Sequence, residues 1–543
     1  IVPNIVLCFT EPMPLVAKVC NVLLPFSIYH MIMSWSGNCG KTFWILFPFL
    51  FFGAFQIVLL YLFGQSVIAV DMFLNLVTTN PGEALELLDN LIPAIIIVVL
   101  LYIPALVLTA VAVSKKRRLS EMFVRRERKR AGITVIAGIL SLVAAYLFDA
   151  RYELKSDLYP ANVCYNIALA FQRTAQTQHY AETSKDFTFQ AKTTRPEKNR
   201  EVYVMVIGET SRAANWSIYG YNRNTNPELT KIKGLTAFSH VLTESNTTHK
   251  SVPMLMSSVT AHDFNSIYRQ KGIITAFKEA GYRTAFFSNQ RYNHSFIDFF
   301  GKEADICDFI KEDTGDGSYN PSDDELLKLV AAELAENVSK QFIVLHTYGS
   351  HFNYRERYPA DNAFFLPDFP VDAELKYKDN LINAYDNSIR YTDNFLARLI
   401  RMLQEQDIDA AMLYTSDHGE DIFDDDRHLF LHASPVPSYY QIHVPFLVWM
   451  SDNYRKNYPD FLKNAEINRQ KNISSSASFF QTMLELGGID TPSRNDSLSV
   501  INASYTEKNR VYLNDHNEAR SLDDIGMREE DFTMLQTKGI VYR

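Results

Sequence analysis

The pattern of hydrophobic positions changes character once along this chain. In residues 1–150 the apolar positions run together: 43–63, 91–113 and 131–148 are each about long enough to cross a bilayer as a helix, and none contains an acid. Residues 14–33 form a fourth candidate, interrupted by Lys18 and His30. Residues 1–9 read as the tail of a fifth, truncated span, because the chain starts at Ile1 without an initiator Met. So many apolar runs crowded together do not fit the core helices of a soluble protein, and they predict an α-helical transmembrane domain of about five spans. From Glu201 the runs become short and alternate. Strand-like stretches at 202–208, 283–288, 341–347, 410–416 and 444–450 are separated by helix-like ones at 273–280, 324–337, 381–405 and 477–486. Such alternation predicts an α/β domain whose mostly parallel sheet is covered by helices on both faces. Residues 151–200 mix aromatic and polar positions without long strands and read as a linker along the membrane surface. The expected parts are therefore a membrane domain at 1–150 with an outer loop at 64–90, the linker at 151–200, and a catalytic domain at 201–543.

Charge orients this arrangement. The basic segments Lys115-Lys-Arg-Arg118 and Arg125-Arg-Glu-Arg-Lys-Arg130 lie between two predicted spans, and the positive-inside rule assigns them to the cytoplasm. Everything after about residue 150 then lies outside the cytoplasm. The net charge of −9 argues against a nucleic-acid partner. Only Cys164 and Cys307 fall in the exported part, too few for a disulfide framework, so export rests on topology. Cys8, Cys20 and Cys39 sit in or beside spans and read as small apolar residues.

Candidate chemistry stands at the strand ends. Glu209-Thr210 follows the run Val202-Tyr-Val-Met-Val-Ile-Gly208, and Asp417-His418-Gly419 follows Ala410-Ala-Met-Leu-Tyr-Thr-Ser416. In an open parallel sheet, loops distant in sequence meet beyond the carboxyl ends of the strands. Two carboxylates and an imidazole there supply ligands that suit Zn²⁺. Within Thr243-Glu-Ser-Asn-Thr-Thr-His-Lys-Ser-Val-Pro253, Thr247 or Thr248 is a candidate nucleophile, since a metal can activate a hydroxyl and the helix that begins near Ser251 favours an anion. Spacing alone does not separate the two threonines, and capping of that helix is the competing explanation for both.

Five motifs occur in order: Gly208-Glu-Thr-Ser-Arg212, Tyr219-Gly-Tyr-Asn-Arg-Asn-Thr-Asn-Pro227, Ser251-Val-Pro253, His346-Thr-Tyr-Gly-Ser-His351 and Ser416-Asp-His-Gly-Glu420. The set resembles the phosphoethanolamine transferases of Gram-negative envelopes, which include lipid A modifying and mobile colistin resistance enzymes of the alkaline phosphatase/sulfatase superfamily. The resemblance extends over nearly the whole chain and implies a sulfatase-like catalytic domain in the periplasm, anchored in the inner membrane. By motif, Glu209, Asp417 and His418 match zinc ligands, and Thr248, five residues before the Pro of Ser-Val-Pro, matches the nucleophile and a further metal contact. His351 matches an active-site histidine; His432 takes the place of another, with Ala433 where Gly is usual and His428 as the second choice. His249, beside the nucleophile, is a further histidine of interest. The implied reaction is a two-step displacement. Thr248 takes phosphoethanolamine from phosphatidylethanolamine, His351 or His432 protonates the departing diacylglycerol, and a lipopolysaccharide or other glycan acceptor then receives the group.

In the outer loop, Asn75, Thr79 and Glu83 are spaced to share one helix face. They match positions that the family uses near the lipid head group, although an interfacial amphipathic helix would show the same spacing. The enzyme is expected to act as a monomer. Two features depart from the family. Glu244 and Met254 stand where many members have a cysteine pair around the nucleophile, and the other usual disulfides of the soluble domain are absent too; within the family, the run Phe286-Phe-Ser-Asn-Gln290 looks more like the disulfide-poor branch that modifies core sugars. The competing readings are a lipoteichoic-acid-synthase-like glycerol phosphate transferase, a sulfatase, and a catalytically inactive scaffold. The first typically has Glu-Ser-Phe at its first ligand. The second needs Cys or Ser in a Cys/Ser-x-Pro-x-Arg context, which does not follow the first strand. The third is disfavoured by the complete set of ligand types.

Overall fold

The long apolar runs are helical in the computed structural model, which describes residues 1–11, 13–63, 67–73, 92–149, 152–196, 200–311 and 320–542. The chain divides into two units, Ile1–Thr174 and Ala175–Arg543. The first contains α1 (Val2–Thr10), α2 (Leu15–Met33), α3 (Cys39–Ile45), α4 (Phe47–Phe63), α5 (Ile92–Ser114) and α6 (Glu121–Phe148); α7 (Ala161–Gln178) carries the chain onward. Among the described residues, α2, α5 and α6 are long and apolar enough to cross a membrane, and α3 with α4 makes a fourth such element if the bent pair is one span. Among the described residues the structure therefore shows three to four apolar helices of crossing length, with the short α1 where the truncated span is expected, and leaves the count of about five unconfirmed.

Two sequence expectations are corrected here. The run at 43–63 is not one straight helix but two segments bent by 58°. Pro48 lies at the break and has no N–H to give the preceding turn, which is a sufficient cause. The basic run at 125–130, expected between two spans, is itself part of a helix: α6 starts at Glu121, capped by the Ser120 side chain, which accepts from the Phe123 N–H at 3.3 Å. Helices α2 and α6 pack closely through small residues. Ala131, Gly138 and Ala145 are buried along one side of α6, and a Cβ on Gly138 would come within 2.7 Å of the Ser27 hydroxyl of α2.

The second unit is built on a seven-stranded sheet. Its strands are β1 (Glu201–Gly208), β2 (Leu235–Phe238), β3 (Arg283–Ser288), β4 (Ile306–Phe309), β5 (Lys340–His346), β6 (Asp409–Ser416) and β7 (Phe446–Met450), in the order β2-β7-β6-β1-β5-β3-β4. Only β7 runs against its neighbours β6 and β2; all other pairs are parallel, so the sheet is mixed but mostly parallel. Strand β1 sits in the middle, and all eight of its residues are buried. Its alternate side chains face opposite ways. Tyr203, Met205 and Ile207 enter one hydrophobic cluster, while Val202, Val204 and Val206 enter another. The first cluster is completed by α8 (Thr248–Leu255), α9 (Ile273–Glu279) and α12 (Ser475–Leu486); the second by α10 (Asp324–Ala335) and α11 (Lys378–Gln404). The domain is thus a three-layer α/β sandwich.

Candidate functional site

Register brings the strand ends together. Ile207 lies opposite His346, and Gly208 opposite Ser416. Glu209 and Asp417 therefore leave the sheet side by side. Close packing sets the exit: a Cβ on Gly208 would fall 2.6 Å from the Tyr414 hydroxyl, and one on Gly349, whose φ is +51°, would fall 2.5 Å from the Glu209 carbonyl oxygen. The next residue, Thr210, adopts φ +57°, a left-handed conformation costly for a β-branched side chain. Several bonds hold it there. Its N–H donates to Asp417 Oδ1 at 3.0 Å, its hydroxyl donates to Glu209 Oε1 at 2.8 Å, and its carbonyl accepts the Tyr385 hydroxyl at 2.7 Å.

The structure gathers Glu209, Asp417, His418 and Thr248 at one point. One ligand atom from each of Glu209, Asp417 and His418 lies within 4.8 Å of the other two, and all three residues are buried. His418 Nε2 is 3.2 Å from Asp417 Oδ2 and 3.6 Å from Glu209 Oε1. Thr248 opens α8 and is half-buried; its hydroxyl donates to Glu209 Oε1 at 3.2 Å and lies 3.1 Å from His418 Nε2. Thr247 is the residue before the helix, and its hydroxyl pairs with Ser245 at 3.1 Å.

The electrostatics call for a cation. Burial, and after it the neighbouring Asp417, hold the Glu209 carboxyl well above its usual range, and burial lifts Asp417 to about 6. Burial and the nearby His432 hold His418 well below its usual value, so its imidazole is neutral. Its Nδ1 lies 2.9 Å from the Gly419 carbonyl and donates there, which leaves the Nε2 lone pair turned to the carboxylates. Asp417 Oδ2 is buried without a hydrogen-bond partner. An orphaned carboxylate oxygen, a second carboxylate, a neutral imidazole and a hydroxyl fit a divalent metal such as zinc.

Two more histidines adjoin this group. The His432 ring centroid is 4.1 Å from that of His418 and 6.1 Å from that of His351. His432 Nδ1 is 3.0 Å from Glu420 Oε1, and the other Glu420 oxygen accepts the Tyr354 hydroxyl at 2.6 Å. His351 stacks on Tyr348 and donates from Nδ1 to the Phe352 carbonyl at 2.6 Å; burial, with His432 beside it, pushes its pKa down to about 3. His428, the second choice in sequence, is exposed. His249 is half-buried one residue past Thr248. Asn75, Thr79 and Glu83 lie outside the described residues.

Sequence reasoning missed several members of this neighbourhood. The Gln290 amide donates to Glu209 Oε2 at 3.3 Å and to the Thr347 carbonyl at 3.1 Å. It stands two residues past β3, so the strand-end rule that found Glu209 also applied to it. Glu420 is two residues past His418. Asp323 receives the Tyr348 and Gly349 N–H groups at 2.8 and 3.0 Å and so fixes the loop before His351; no local signal marks it. At the positions of the family's cysteine pair, Met254 is buried, and the buried Glu244 carboxyl accepts the Ser476 hydroxyl at the start of α12.

Comparison with known proteins agrees with this construction. A family model described as sulfatase matches residues 201–489, more than half of the 543, and one described as phosphoethanolamine transferase EptA/EptB matches residues 38–175. The chain belongs to the sulfatase family. Within it, its relatives are the phosphoethanolamine transferases. It is 32% identical over 301 residues to the Kdo(2)-lipid A phosphoethanolamine 7''-transferase of Escherichia coli K12, a match that covers 53% of this chain and 51% of that protein. It is 29% identical over 311 residues to phosphoethanolamine transferase EptA of the same strain, covering 54% of each. The matched segments thus span about half the length of these curated relatives. Among solved structures, the periplasmic domain of EptC from Escherichia coli in complex with zinc superposes with a TM-score of 0.56 at 25% identity, covering 62% of this chain and 96% of that one. The integral membrane lipooligosaccharide phosphoethanolamine transferase A from Neisseria meningitidis shares the fold with a TM-score of 0.71 at 21% identity, over 89% of this chain and 90% of that one.

Proposed function

We propose that this protein is a membrane-bound phosphoethanolamine transferase that uses Thr248 to move phosphoethanolamine from phosphatidylethanolamine to an envelope glycolipid, either lipid A or a core sugar. The observation that carries this reading is the Thr248 hydroxyl, 3.2 Å from a Glu209 oxygen and 3.1 Å from His418 Nε2, at the rim of a buried ligand cluster. Glu209, Asp417, His418 and Thr248 would hold a zinc ion, which when bound lowers the pKa of the hydroxyl and offsets charge on the phosphoryl group. Thr248 Oγ1 attacks the phosphorus of the donor as its proton passes to the adjacent Glu209 oxygen. The bond from phosphorus to diacylglycerol breaks, and the departing oxygen needs a proton. His432 is the better placed donor, because Glu420 Oε1, 3.0 Å from its Nδ1, orients the ring. His351, held neutral with Nδ1 on a carbonyl, retains an acceptor nitrogen. It can orient the acceptor hydroxyl, whose proton passes to His432, left neutral by the first step, as the glycan attacks the phosphoethanolamine-threonine intermediate; Thr248 leaves and recovers its proton from Glu209.

The match at residues 38–175 to the phosphoethanolamine transferase family favours this reading over a lipoteichoic-acid-synthase-like glycerol phosphate transferase. On the charge distribution we assign unit 2 to the periplasm and the apolar helices to the inner membrane, with Asn75, Thr79 and Glu83 as a head-group contact in the outer loop and the protein acting as a monomer. Incubation with phosphatidylethanolamine labelled in the head group should leave label on Thr248. Thr248→Ala should lose roughly 10³-fold or more of the transfer rate, while Thr247→Ala retains much of it. Mass spectrometry of envelope lipids from cells with and without the gene should show one glycolipid gaining one phosphoethanolamine. Full transfer by Thr248→Ala, or a gain of glycerol phosphate instead, overturns the proposal.

A further inference from the structure

The end of unit 1 that carries the basic residues encloses a cavity of about 310 Å³ between the start of α3 and the end of α5. Lys41, Lys116, Arg117 and Arg118 line it together with Asn38 and Gly40. Backbone geometry builds this pocket. Gly40 lets the two helices approach, since a Cβ there would meet the Thr109 carbonyl oxygen at 2.9 Å. Helix α5 ends with Lys116 at φ +52°, and the Arg117 N–H bonds back to the Ala112 carbonyl at 2.9 Å, which turns the following residues over the helix end. The Leu119 N–H then donates to the Gly37 carbonyl at 2.9 Å and ties the two loops together.

Charge at the positive-inside end of a membrane protein needs only to be present, not to converge. On α6 most of the basic residues are engaged one by one: Arg125 pairs with Glu121, Arg126 and Arg130 pair with Glu127, and Arg128 donates to the Trp35 carbonyl and lies over its ring. The four cations of the cavity behave differently. None of them has an ionic partner among the described residues, yet all four line one concave space between two apolar helices. Four exposed cations without ionic partners around an opening of this size suit an anion, and their place at the basic end of the apolar helices favours a lipid phosphate. We infer that this cavity binds the phosphate of an anionic phospholipid, the head group lying among Lys41, Lys116, Arg117 and Arg118 and the acyl chains along α5. The shared chemistry is a phosphate, and a soluble phosphate is the other source of it. This inference does not rest on the transferase reading, because no residue of the catalytic cluster takes part.

The test uses the full-length protein, purified in detergent and equilibrated with phosphatidylglycerol or phosphatidylethanolamine, with bound lipid counted by native mass spectrometry. Wild type should retain phosphatidylglycerol in preference to phosphatidylethanolamine. A Lys41→Gln/Arg117→Gln/Arg118→Gln variant should lose this retention by at least about fivefold. An Arg125→Gln/Arg126→Gln/Lys129→Gln variant, with the same charge removed outside the cavity, should keep it. Ala112→Glu keeps all four cations and places a carboxylate in the pocket, so it should also lose the lipid. Equal loss in the control variant, or equal loss of phosphatidylglycerol and phosphatidylethanolamine in the triple variant, would mean diffuse surface charge and overturn the inference. Thermal stabilisation of delipidated protein by inorganic phosphate alone, unmatched by phosphatidylglycerol, would assign the site to a soluble anion and overturn it as well.

Discussion

Asp417 and Glu209 are two carboxyls in a water-poor corner, and each raises the cost of ionising the other. A divalent cation removes that cost, whereas a neutralising proton would fill only one oxygen. Glu209→Ala or Asp417→Ala should therefore lose bound zinc together with activity, since each leaves the site short of a ligand. His351→Ala and His432→Ala should keep the zinc and lose rate, because their hydrogen bonds run to Phe352 and Glu420 and not to the cluster. Metal analysis of the four purified variants separates these outcomes, and normal zinc content in both carboxylate variants would contradict the site. A different carboxyl, Glu244, carries a pH prediction. Burial lifts it to about 7, against about 4.3 in an unfolded chain. The folded state then binds the proton more tightly, so this group favours folding below its unfolded pKa and loses that contribution as pH rises through 7. The loss amounts to roughly 4 kcal/mol. Glu244→Gln keeps the shape without the titration. The wild-type melting temperature relative to this variant should fall between pH 5 and pH 8; a constant difference across that range would show that Glu244 stays ionised when folded. The comparison with the variant matters because buried histidines such as His346 and His443, both pushed down to about 3, act in the opposite sense at low pH.

At the scale of elements, the strand ends were legible because a central parallel strand is apolar on both faces, so the first polar residue after it marks the edge of the sheet. Glu209, Asp417 and His418 all carry that mark. The short edge strands β2 and β4 were not legible: Leu235–Phe238 and Ile306–Phe309 have four residues each, too few for a periodicity to register. Asp323, just before α10, and Tyr385 of α11 reach the site through tertiary packing, which no local pattern encodes. The break in the run at 43–63 could have been read from Pro48. The loop after β6 shows another local conflict. Leu431 and Ala433 adopt φ +67° and +62° on either side of His432, and Ala433 stands where the resemblance expects Gly. Relief of left-handed strain is larger than the entropy that Gly adds to the unfolded chain. Ala433→Gly should therefore raise stability by about 0.5–1 kcal/mol with the fold intact, measured by thermal or denaturant unfolding. A lower melting temperature would mean that the alanine methyl makes packing contacts that outweigh its backbone strain.

The whole molecule separates chemistry from anchoring. Glu209, Thr248, Asp417, His418, His351 and His432 all belong to the unit Ala175–Arg543, which has two hydrophobic clusters of its own on the faces of its sheet. Among the described residues, none of the apolar helices of crossing length lies in that unit. A protein comprising residues 175–543 should therefore fold and bind zinc with the same stoichiometry as the full chain. Its handicap should be confined to a donor held in a bilayer. Anchoring keeps the site and a membrane lipid in one thin layer, and its loss turns an effectively intramolecular encounter into one between solution and surface. The isolated unit should turn over a short-chain, water-soluble phosphatidylethanolamine at a rate near that of the full chain, but phosphatidylethanolamine in vesicles at least about tenfold more slowly. Zinc content and the two turnover rates, measured side by side, separate the alternatives. Equal turnover of vesicle donor would show that unit 1 contributes nothing to donor access. Loss of zinc from the isolated unit would show that the metal site depends on residues before Ala175, contrary to the geometry described above.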